Sequence, residues 1–275
     1  MAAFKVAVVR GERSISTVLK ALKLLGGVQE ISGRPVLIKV NFIAVKTWDT
    51  GTTTDPLVVE ALIKTFQQTD EQVYVVESDA TITNAAKAAK VTGVLNLCEK
   101  YGVPFLNLRK LKEKVTLPVD SPEVLPQIKV PKLVAESHIV NAAKLKTHSE
   151  TGVTLGLKNM FGLLPDKLKF KYHLKGIEKV VVDVNTVLKP ALTVIDGFVG
   201  LKDGGPVKGK PVKMDLIIAS KNVTAADATA ARIMGFEPER IYHIRRAAEK
   251  GLGSLTAIEV VGEPLAELAQ DFQRL

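Results

Sequence analysis

The segment 144–173 is the densest in side chains that could do acid–base, nucleophilic or metal chemistry. It reads KLKTHSETGVTLGLKNMFGLLPDKLKFKYH and includes His148, Lys158 and His173. Lys158 lies between the apolar runs VTLGL and MFGLL, which predicts partial burial. A buried lysine has a lowered pKa and can act as a nucleophile or attachment point, although lysines more often extend to solvent. We expect His148 and Lys158 to be catalytic, with His148 as the acid or base.

Further polar residues follow the predicted strands. Ligands of open α/β sheets bind beyond the carboxyl ends of the strands. Together with segment 144–173, this rule predicts a substrate-binding set of Asn41, Thr53, Thr54, Lys144, Lys146 and Asn159, and a base or metal ligand at Glu77, Asp79, Asp196 or Asp227. The loop 50–56 fits either an anion cradle or a simple capping turn with Asp55 as N-cap. Nucleotide-binding glycine motifs are absent from the sequence.

Strand-like and helix-like segments alternate along the chain. The pattern predicts strands at 4–10, 36–42, 73–78, 103–108, 138–146, 192–197, 214–220 and 257–262. It predicts helices at 14–27, 56–69, 81–101, 177–188, 223–234 and 238–250. Such alternation is typical of an α/β fold, here with one or more largely parallel sheets flanked by helices and a cleft between two lobes. We treat 1–275 as a single domain. Residues 109–130 are expected to be irregular, and the proline-rich run 118–131 is the expected seam.

Composition and charge limit the function classes. The chain has 275 residues, of which 46% are hydrophobic, so it is not a disordered chain. The net charge is +9, and residues 100–179 hold 15 Lys and Arg against 7 Asp and Glu. This excess fits an anionic substrate, a nucleic acid, a membrane surface or a solvated face. Aromatic residues make up only 5%, which disfavours stacking on nucleic-acid bases.

The remaining sequence signals predict a cytoplasmic protein. Cys98 is the single cysteine, so neither an intrachain disulfide nor an iron–sulfur cluster is expected. No basic segment followed by an apolar core begins the sequence, and no stretch of about 18 uncharged apolar residues occurs. We therefore expect no signal peptide and no membrane partner. The oligomeric state is open.

Several motifs together resemble a known family. They are IKVNFI (38–43), TTTDP (52–56), NAAKLKTH (141–148), GVTLGLKNMFGL (152–163), TVIDG (193–197) and GGPVKG (204–209). They resemble the domain of unknown function 362 family over essentially the whole chain. Some members of that family are fused to cysteine-rich ferredoxin-type segments. The resemblance therefore implies that an iron–sulfur partner would be a separate ferredoxin-like protein.

A more distant resemblance is to the nickel-pincer lactate racemase family. The matching pattern is His148, Gly152, Gly156, Lys158 and His173. The resemblance implies that Lys158 carries a pyridine-derived pincer cofactor through a thioamide. It also implies that His173 ligates nickel and that His148 transfers a proton. This chain has Glu-Ser-Asp at 77–79, where the racemase pattern has a second catalytic histidine.

The leading hypothesis is an enzyme of the redox or isomerase class that acts on a small anionic substrate at a cleft lined by Lys and His. Its cofactor would be a transition metal or a lysine-attached pincer. One alternative is a nucleic-acid-binding protein that uses segment 100–179. The other is a non-catalytic ligand-binding or scaffold partner of an iron–sulfur protein.

Overall fold

The computed structural model describes residues 3–69 and 71–272. Its strands are β1 (Phe4–Arg10), β2 (Val36–Lys39), β3 (Val73–Glu77), β4 (Phe105–Asn107), β5 (Lys114–Pro118), β6 (Gln127–Pro131), β7 (His138–His148), β8 (Gly152–Thr154), β9 (Leu192–Lys202), β10 (Lys210–Ser220) and β11 (Ile258–Gly262). Its α-helices are α1 (Ile15–Leu24), α2 (Pro56–Phe66), α3 (Ala85–Val91), α4 (Val94–Tyr101), α5 (Lys132–Glu136), α6 (Gly156–Met160), α7 (Phe170–His173), α8 (Ile177–Val187), α9 (Val223–Ile233) and α10 (Tyr242–Glu249).

One mostly parallel sheet organises the described residues. Its order is β11-β1-β10-β9-β7-β2-β3-β4, with β8 paired to the end of β7. Strand β10 runs antiparallel to both β1 and β9, whereas β9, β7, β2, β3 and β4 run parallel to one another. The predicted α/β class is confirmed. Because β2, β3, β7 and β9 point the same way, the residues at their carboxyl ends meet at one edge of the sheet.

Helices cover both faces of this sheet. Alternate residues of β1 show the division, since Val6 and Val8 belong to one apolar core and Ala7 and Val9 to the other. Helices α1 to α4 pack into the second core, and α6, α8, α9 and α10 pack into the first. Burial on both faces explains why the central strands read as continuous apolar runs.

The predicted helix starts are confirmed where a capping residue marks them. The Ser14 hydroxyl accepts a hydrogen bond from the Thr17 amide at the start of α1. The Asp55 carboxylate accepts from the Leu57 amide at 2.8 Å, with Pro56 in the first turn of α2. The loop before α2 is therefore a capping turn, the second of the two readings that its sequence allowed.

Three sequence expectations about elements are wrong. The helix expected over 81–101 is two helices, because Gly93 has a φ of 83° between α3 and α4. The expected irregular region 109–130 contains the antiparallel hairpin of β5 and β6. Its prolines lie at strand ends or in the connecting loop, where no ladder hydrogen bond is lost. The helix expected from residue 238 begins as a short 3-10 turn, and α10 starts at Tyr242. Whether 118–131 is a seam stays a prediction.

Within residues 3–69 and 71–272, no helix combines the length and apolar character needed to cross a membrane.

Candidate functional site

A cavity of about 200 Å³ lies at the edge where the parallel strands end. Its charged and titratable lining comes from strands β2, β3 and β7, from helices α6 and α7, and from the residue before α7. These lining side chains are Lys39, Lys146, Lys158, Lys169, His148, His173 and Glu77. Four amines thus face one carboxylate among the lining residues that the structure describes. This imbalance makes the cavity attractive to a small anion.

The carboxylate of the cavity is already paired. Lys39, at the end of β2, donates from Nζ to Glu77 Oε2 at 2.9 Å and to the Val40 carbonyl at 2.6 Å. Burial lowers the pKa of Lys39, and the charge of Glu77 partly opposes that shift. Gly162 packs directly on this ion pair, since a Cβ there would lie 2.5 Å from the Lys39 Nζ. Only glycine therefore leaves the pair in place.

Three buried asparagines connect the strands behind the cavity. Asn41 donates to Asn159 Oδ1 at 2.9 Å, and Asn159 donates to Asn141 Oδ1 at 2.7 Å. Lys146 donates to Asn41 Oδ1 at 2.7 Å and to the Thr52 carbonyl at 2.8 Å. Both acceptors of Lys146 are neutral. Burial, followed by the charges of Lys158 and Lys144, lowers the pKa of Lys146 well below its ordinary value.

Lys158 is the amine with the fewest partners. It lies on α6, lines the cavity and has no hydrogen bond or ion pair with any residue that the structure describes. Burial lowers its pKa to about 8, against opposing effects of Glu150 and Glu178. A substantial fraction of this amine is therefore neutral at physiological pH and can accept a proton.

Lys169 is a second buried amine without a carboxylate partner. It is 7% exposed and donates to the Ser78 hydroxyl at 3.2 Å and to the Leu164 carbonyl. Its Nζ lies 4.9 Å from the centre of the Phe161 ring. Burial lowers its pKa to about 7. Lys169 is not among the site residues predicted from the sequence, so its place in the cavity wall is a finding of the structure.

His148 is fixed as a neutral imidazole. Its Nδ1 accepts hydrogen bonds from the backbone amides of Glu150 and Thr151, at 3.1 and 3.3 Å. Because Nδ1 is the acceptor, the ring proton lies on Nε2. Burial and the charges of Lys158 and Lys146 lower the His148 pKa to about 2. The ring therefore suits hydrogen-bond donation to a substrate oxygen better than proton abstraction.

Two further polar groups complete this side of the cavity. His173 Nδ1 lies 2.6 Å from Glu150 Oε2, which orients the ring. The buried Thr154 hydroxyl also lines the cavity and has no hydrogen-bond partner within the described part of the chain. A buried hydroxyl without a partner is costly, so a ligand that bonds to it would be favoured.

Four predicted site residues lie behind the cavity wall. Lys144 and Asp196 are fully buried and paired at 2.7 Å, and Asp196 also accepts from the Asp55 amide. Thr54 joins the Asn41 amide to the Ala142 carbonyl, and Thr53 donates to the Lys46 carbonyl. The hydrogen-bonding groups of these four side chains bond to other parts of the protein and so hold the cavity wall in place. Of the expected binding residues, the structure brings Asn41, Lys146 and Asn159 to the cavity.

The two expected metal ligands are not brought together. His173 lines the cavity, whereas Asp196 belongs to the buried pair with Lys144. Across 3–69 and 71–272, no group of three or more His, Cys, Asp or Glu side chains could hold a metal ion. Asp79 and Asp227 are also engaged elsewhere. Asp79 binds Asn107 and Arg109, and Asp227 accepts from the Gly156 and Leu157 amides at the start of α6.

A known protein family matches the part of the chain that forms this cavity. The family model described as "Domain of unknown function (DUF362)" matches residues 36–232. The chain belongs to the DUF362 family. The match runs from β2 to α9 and so contains every lysine of the cavity wall. The family resemblance carried by the sequence motifs is thereby confirmed.

A curated relative extends the comparison beyond those bounds. It is a thylakoid-associated protein of Synechocystis, which is 27% identical over 247 residues. The aligned region covers 87% of this DUF362 chain and 74% of that protein.

Proposed function

We propose that this DUF362 protein is an enzyme of the isomerase or redox class that binds a small carboxylate or phosphate in the lysine-lined cavity and moves a proton on it. The observation that carries the proposal is the absence of a carboxylate partner for Lys146, Lys158 and Lys169 among the described residues. Buried cations are normally paired. A substrate anion would supply the missing counter-charge.

The supporting geometry gives separate roles to the residues. Lys146 and Asn159, fixed by the asparagine network, would hold the anionic group. Lys158 would act as the base, because its amine has no partner to compete for the proton and a pKa of about 8. The Nε2–H of His148 would donate to the oxygen on which negative charge develops.

A lysine-attached nickel-pincer cofactor fits the residues only in part. Lys158 offers a free amine, and His173 lines the same cavity. Where the racemase resemblance expects a second histidine, however, Glu77 is bonded to Lys39. His148 is also neutral, with its Nδ1 already accepting from two amides. We therefore derive no step of the reaction through that group.

The nucleic-acid alternative is less well supported by where the charges lie. Four of the 15 basic residues of segment 100–179 are in the cavity wall or behind it, namely Lys144, Lys146, Lys158 and Lys169. These amines are not available to a phosphate backbone on an open surface. The scaffold alternative, with a separate ferredoxin-like protein, predicts anion binding without turnover. We keep a cytoplasmic location as part of the proposal, although the curated relative is described as thylakoid-associated.

The test is anion binding followed by proton exchange. Thermal shift and calorimetry would use phosphate, malonate, lactate and pyruvate, on the wild type, Lys158→Met and the control Lys189→Met, whose lysine is exposed. Binding by all three proteins is expected, weaker in Lys158→Met because one nearby amine is lost, and proton exchange should be lost in Lys158→Met alone. NMR in heavy water would then follow exchange of the proton beside the carboxylate of any acid that binds.

Two results would oppose the proposal in different ways. If no anion stabilises the wild type, the cavity is not an anion site. If anions bind and no proton exchanges, the protein is a binding module, as the scaffold alternative predicts.

A further inference from the structure

A basic and apolar surface borders the cavity. We call it the mouth patch and define it by four exposed apolar side chains and three exposed lysines: Ile82, Leu168, Phe170, Leu174, Lys167, Lys171 and Lys175. The apolar side chains are 85%, 67%, 63% and 75% exposed, in that order. These are the four highest exposures among the large apolar side chains that the structure describes. So many exposed apolar side chains in one place are typical of a binding surface.

The patch is continuous and adjoins the cavity opening. The hydroxyl of Thr81, the residue before Ile82, lies 3.4 Å from the Lys167 carbonyl, so the two segments touch. Thr81 and Ile82 are exposed and also line the cavity, as do the buried Lys169 and the partly buried His173. The cavity therefore reaches the surface beside the mouth patch.

The outward orientation of these side chains is built into the fold. Between Leu168 and Leu174, Lys169 and Tyr172 turn inward and are less than a tenth exposed. The Tyr172 ring packs edge-on against Phe161, with centroids 5.5 Å apart, and its hydroxyl donates to Asp166 at 2.7 Å. Because these two residues are anchored inside, the neighbouring Leu168, Phe170 and Leu174 face the solvent.

The lysines of the patch that have no ion pair leave it with an excess of positive charge. Asp166 is the carboxylate of this segment, and it is already paired with Lys171 at 2.6 Å and bonded to Tyr172. Lys167 and Lys175 have no ion pair with a residue in the described ranges. Protein hot spots favour Trp, Tyr and Arg, whereas Leu, Ile and Phe beside Lys are typical of surfaces that lie in a bilayer interface.

We propose that the mouth patch docks the protein on the surface of an anionic lipid bilayer, with the cavity opening next to the headgroups. The apolar side chains would enter the interface, and the lysines would meet the anionic headgroups. This contact would be peripheral and would need no membrane-spanning helix. It does not depend on the proposed catalytic function.

The test is flotation of the full chain with lipid vesicles. One set contains phosphatidylcholine alone, and the other contains equal parts of phosphatidylcholine and phosphatidylglycerol. We expect binding to the anionic set at low salt, release at high salt, and much weaker binding to phosphatidylcholine. Each of Lys167→Gln and Lys175→Gln should weaken anionic-vesicle binding by about fivefold. The triple variant L168S/F170S/L174S should abolish it.

A matched control keeps the same chemistry elsewhere. The variant L19S/K20Q/K23Q removes an exposed leucine and two exposed lysines from α1 and should bind like the wild type. Because the mouth-patch side chains are exposed, the melting temperatures of all variants should stay close to that of the wild type. Failure of the wild type to float with anionic vesicles at low salt overturns the proposal. Equal loss in the control also overturns it. Self-association that the triple variant abolishes, without vesicle binding, would instead make the patch an interface between two copies.

Discussion

Buried and half-buried cavity lysines without carboxylate partners are the defining residues of this protein. Removing an amine from water disfavours its charged form, so each such lysine either loses its proton or destabilises the fold. Lys39 is paired with Glu77, whereas Lys158 and Lys169 are not paired with any carboxylate among the described residues. Proteins commonly retain such destabilising residues where their function requires them.

Replacing Lys158 by methionine should therefore stabilise the protein while it weakens anion binding and abolishes proton exchange. Methionine keeps the length and apolar character of the side chain, and no hydrogen bond is lost, because Lys158 makes none with the described residues. We expect the free energy of unfolding to rise by about 1 kcal/mol or more. Urea denaturation measures this change. Lys189→Met, at an exposed position, should stay within about 0.5 kcal/mol of the wild type. A destabilised Lys158→Met would show that the amine has a structural partner.

Anion affinity should fall as the pH rises above 7. In the free protein the pKa is about 7 for Lys169 and about 8 for Lys158. A bound anion raises both values, so binding takes up protons in this range. The affinity should fall by up to about tenfold per pH unit for each lysine involved. Calorimetry at pH 7, 8 and 9 in buffers of different ionisation enthalpy measures both effects. A pH-independent affinity would exclude these amines from the binding site.

His148 should stay neutral at every pH at which the protein is folded. The pKa of about 2 follows from burial and from the nearby lysines, and the two amide donors fix the proton on Nε2. Nitrogen-15 NMR of labelled histidine should show one ring with an unprotonated Nδ1 between pH 5 and 9. His148→Asn supplies the assignment. Titration of this signal near pH 6.5 would contradict the geometry.

The sequence signal that identified Lys158 also existed at Lys39 but not at Lys169. Lys39 lies in the apolar run VLIKVNF, between Ile38 and Val40. The same pattern thus surrounds both lysines, although only Lys158 was predicted from it. Lys169 alternates with Lys167 and Lys171, and nothing in that pattern shows which amine turns inward. Only the packing of Tyr172 on Phe161 decides it.

At the scale of elements, predictions succeeded where one local interaction sets the outcome. Apolar runs placed β2, β3 and β7, and capping residues placed the starts of α1 and α2. The structure places Asn41, Lys146 and Asn159 in the cavity wall. It places Thr53 and Thr54 behind the wall, where they bond to neighbouring backbone groups. Local prediction failed for the β5–β6 hairpin. Both of its strands alternate polar and apolar residues, but the prolines in and between them favoured an irregular segment.

Helix α6 depends on a residue distant in sequence. Asp227 of α9 accepts from the Gly156 and Leu157 amides at 2.7 and 2.8 Å, and so caps the helix that carries Lys158. Asp227→Asn keeps the shape but replaces one acceptor oxygen by a donor. We expect a loss of about 1–3 kcal/mol in the free energy of unfolding. Asp120→Asn, at an exposed position, is the control. Equal stabilities of the two variants would show that this cap is dispensable.

At the scale of the whole molecule, the charge excess of segment 100–179 divides into two parts. One part is internal, since Lys144, Lys146, Lys158 and Lys169 surround or support the cavity. Another part is external and includes the lysines of the mouth patch. Composition gives the total and not this division, because neighbouring lysines in one segment point to opposite sides of the chain.

The internal lysines should make the protein more stable at pH 9 than at pH 7. Below pH 7 the folded and unfolded states both hold these protons, and the folded state bears the full penalty of burial. Between pH 7 and 9 the folded state releases protons from Lys169 and Lys158, whose pKa values are about 7 and 8, while the unfolded chain retains them. The unfolded state then binds more protons, so stability rises with pH.

Other groups define the useful window for this measurement. Burial raises the Asp227 pKa to about 7, so its destabilising effect is largely complete at the lower limit. Burial raises the Cys98 pKa to about 11, which opposes the trend above pH 9. We expect urea denaturation to give a free energy of unfolding about 2–4 kcal/mol larger at pH 9 than at pH 7. The double variant K158M/K169M should flatten this dependence. A flat wild-type profile would mean that both amines keep their protons in the folded protein, and the proposed base at Lys158 would then be lost.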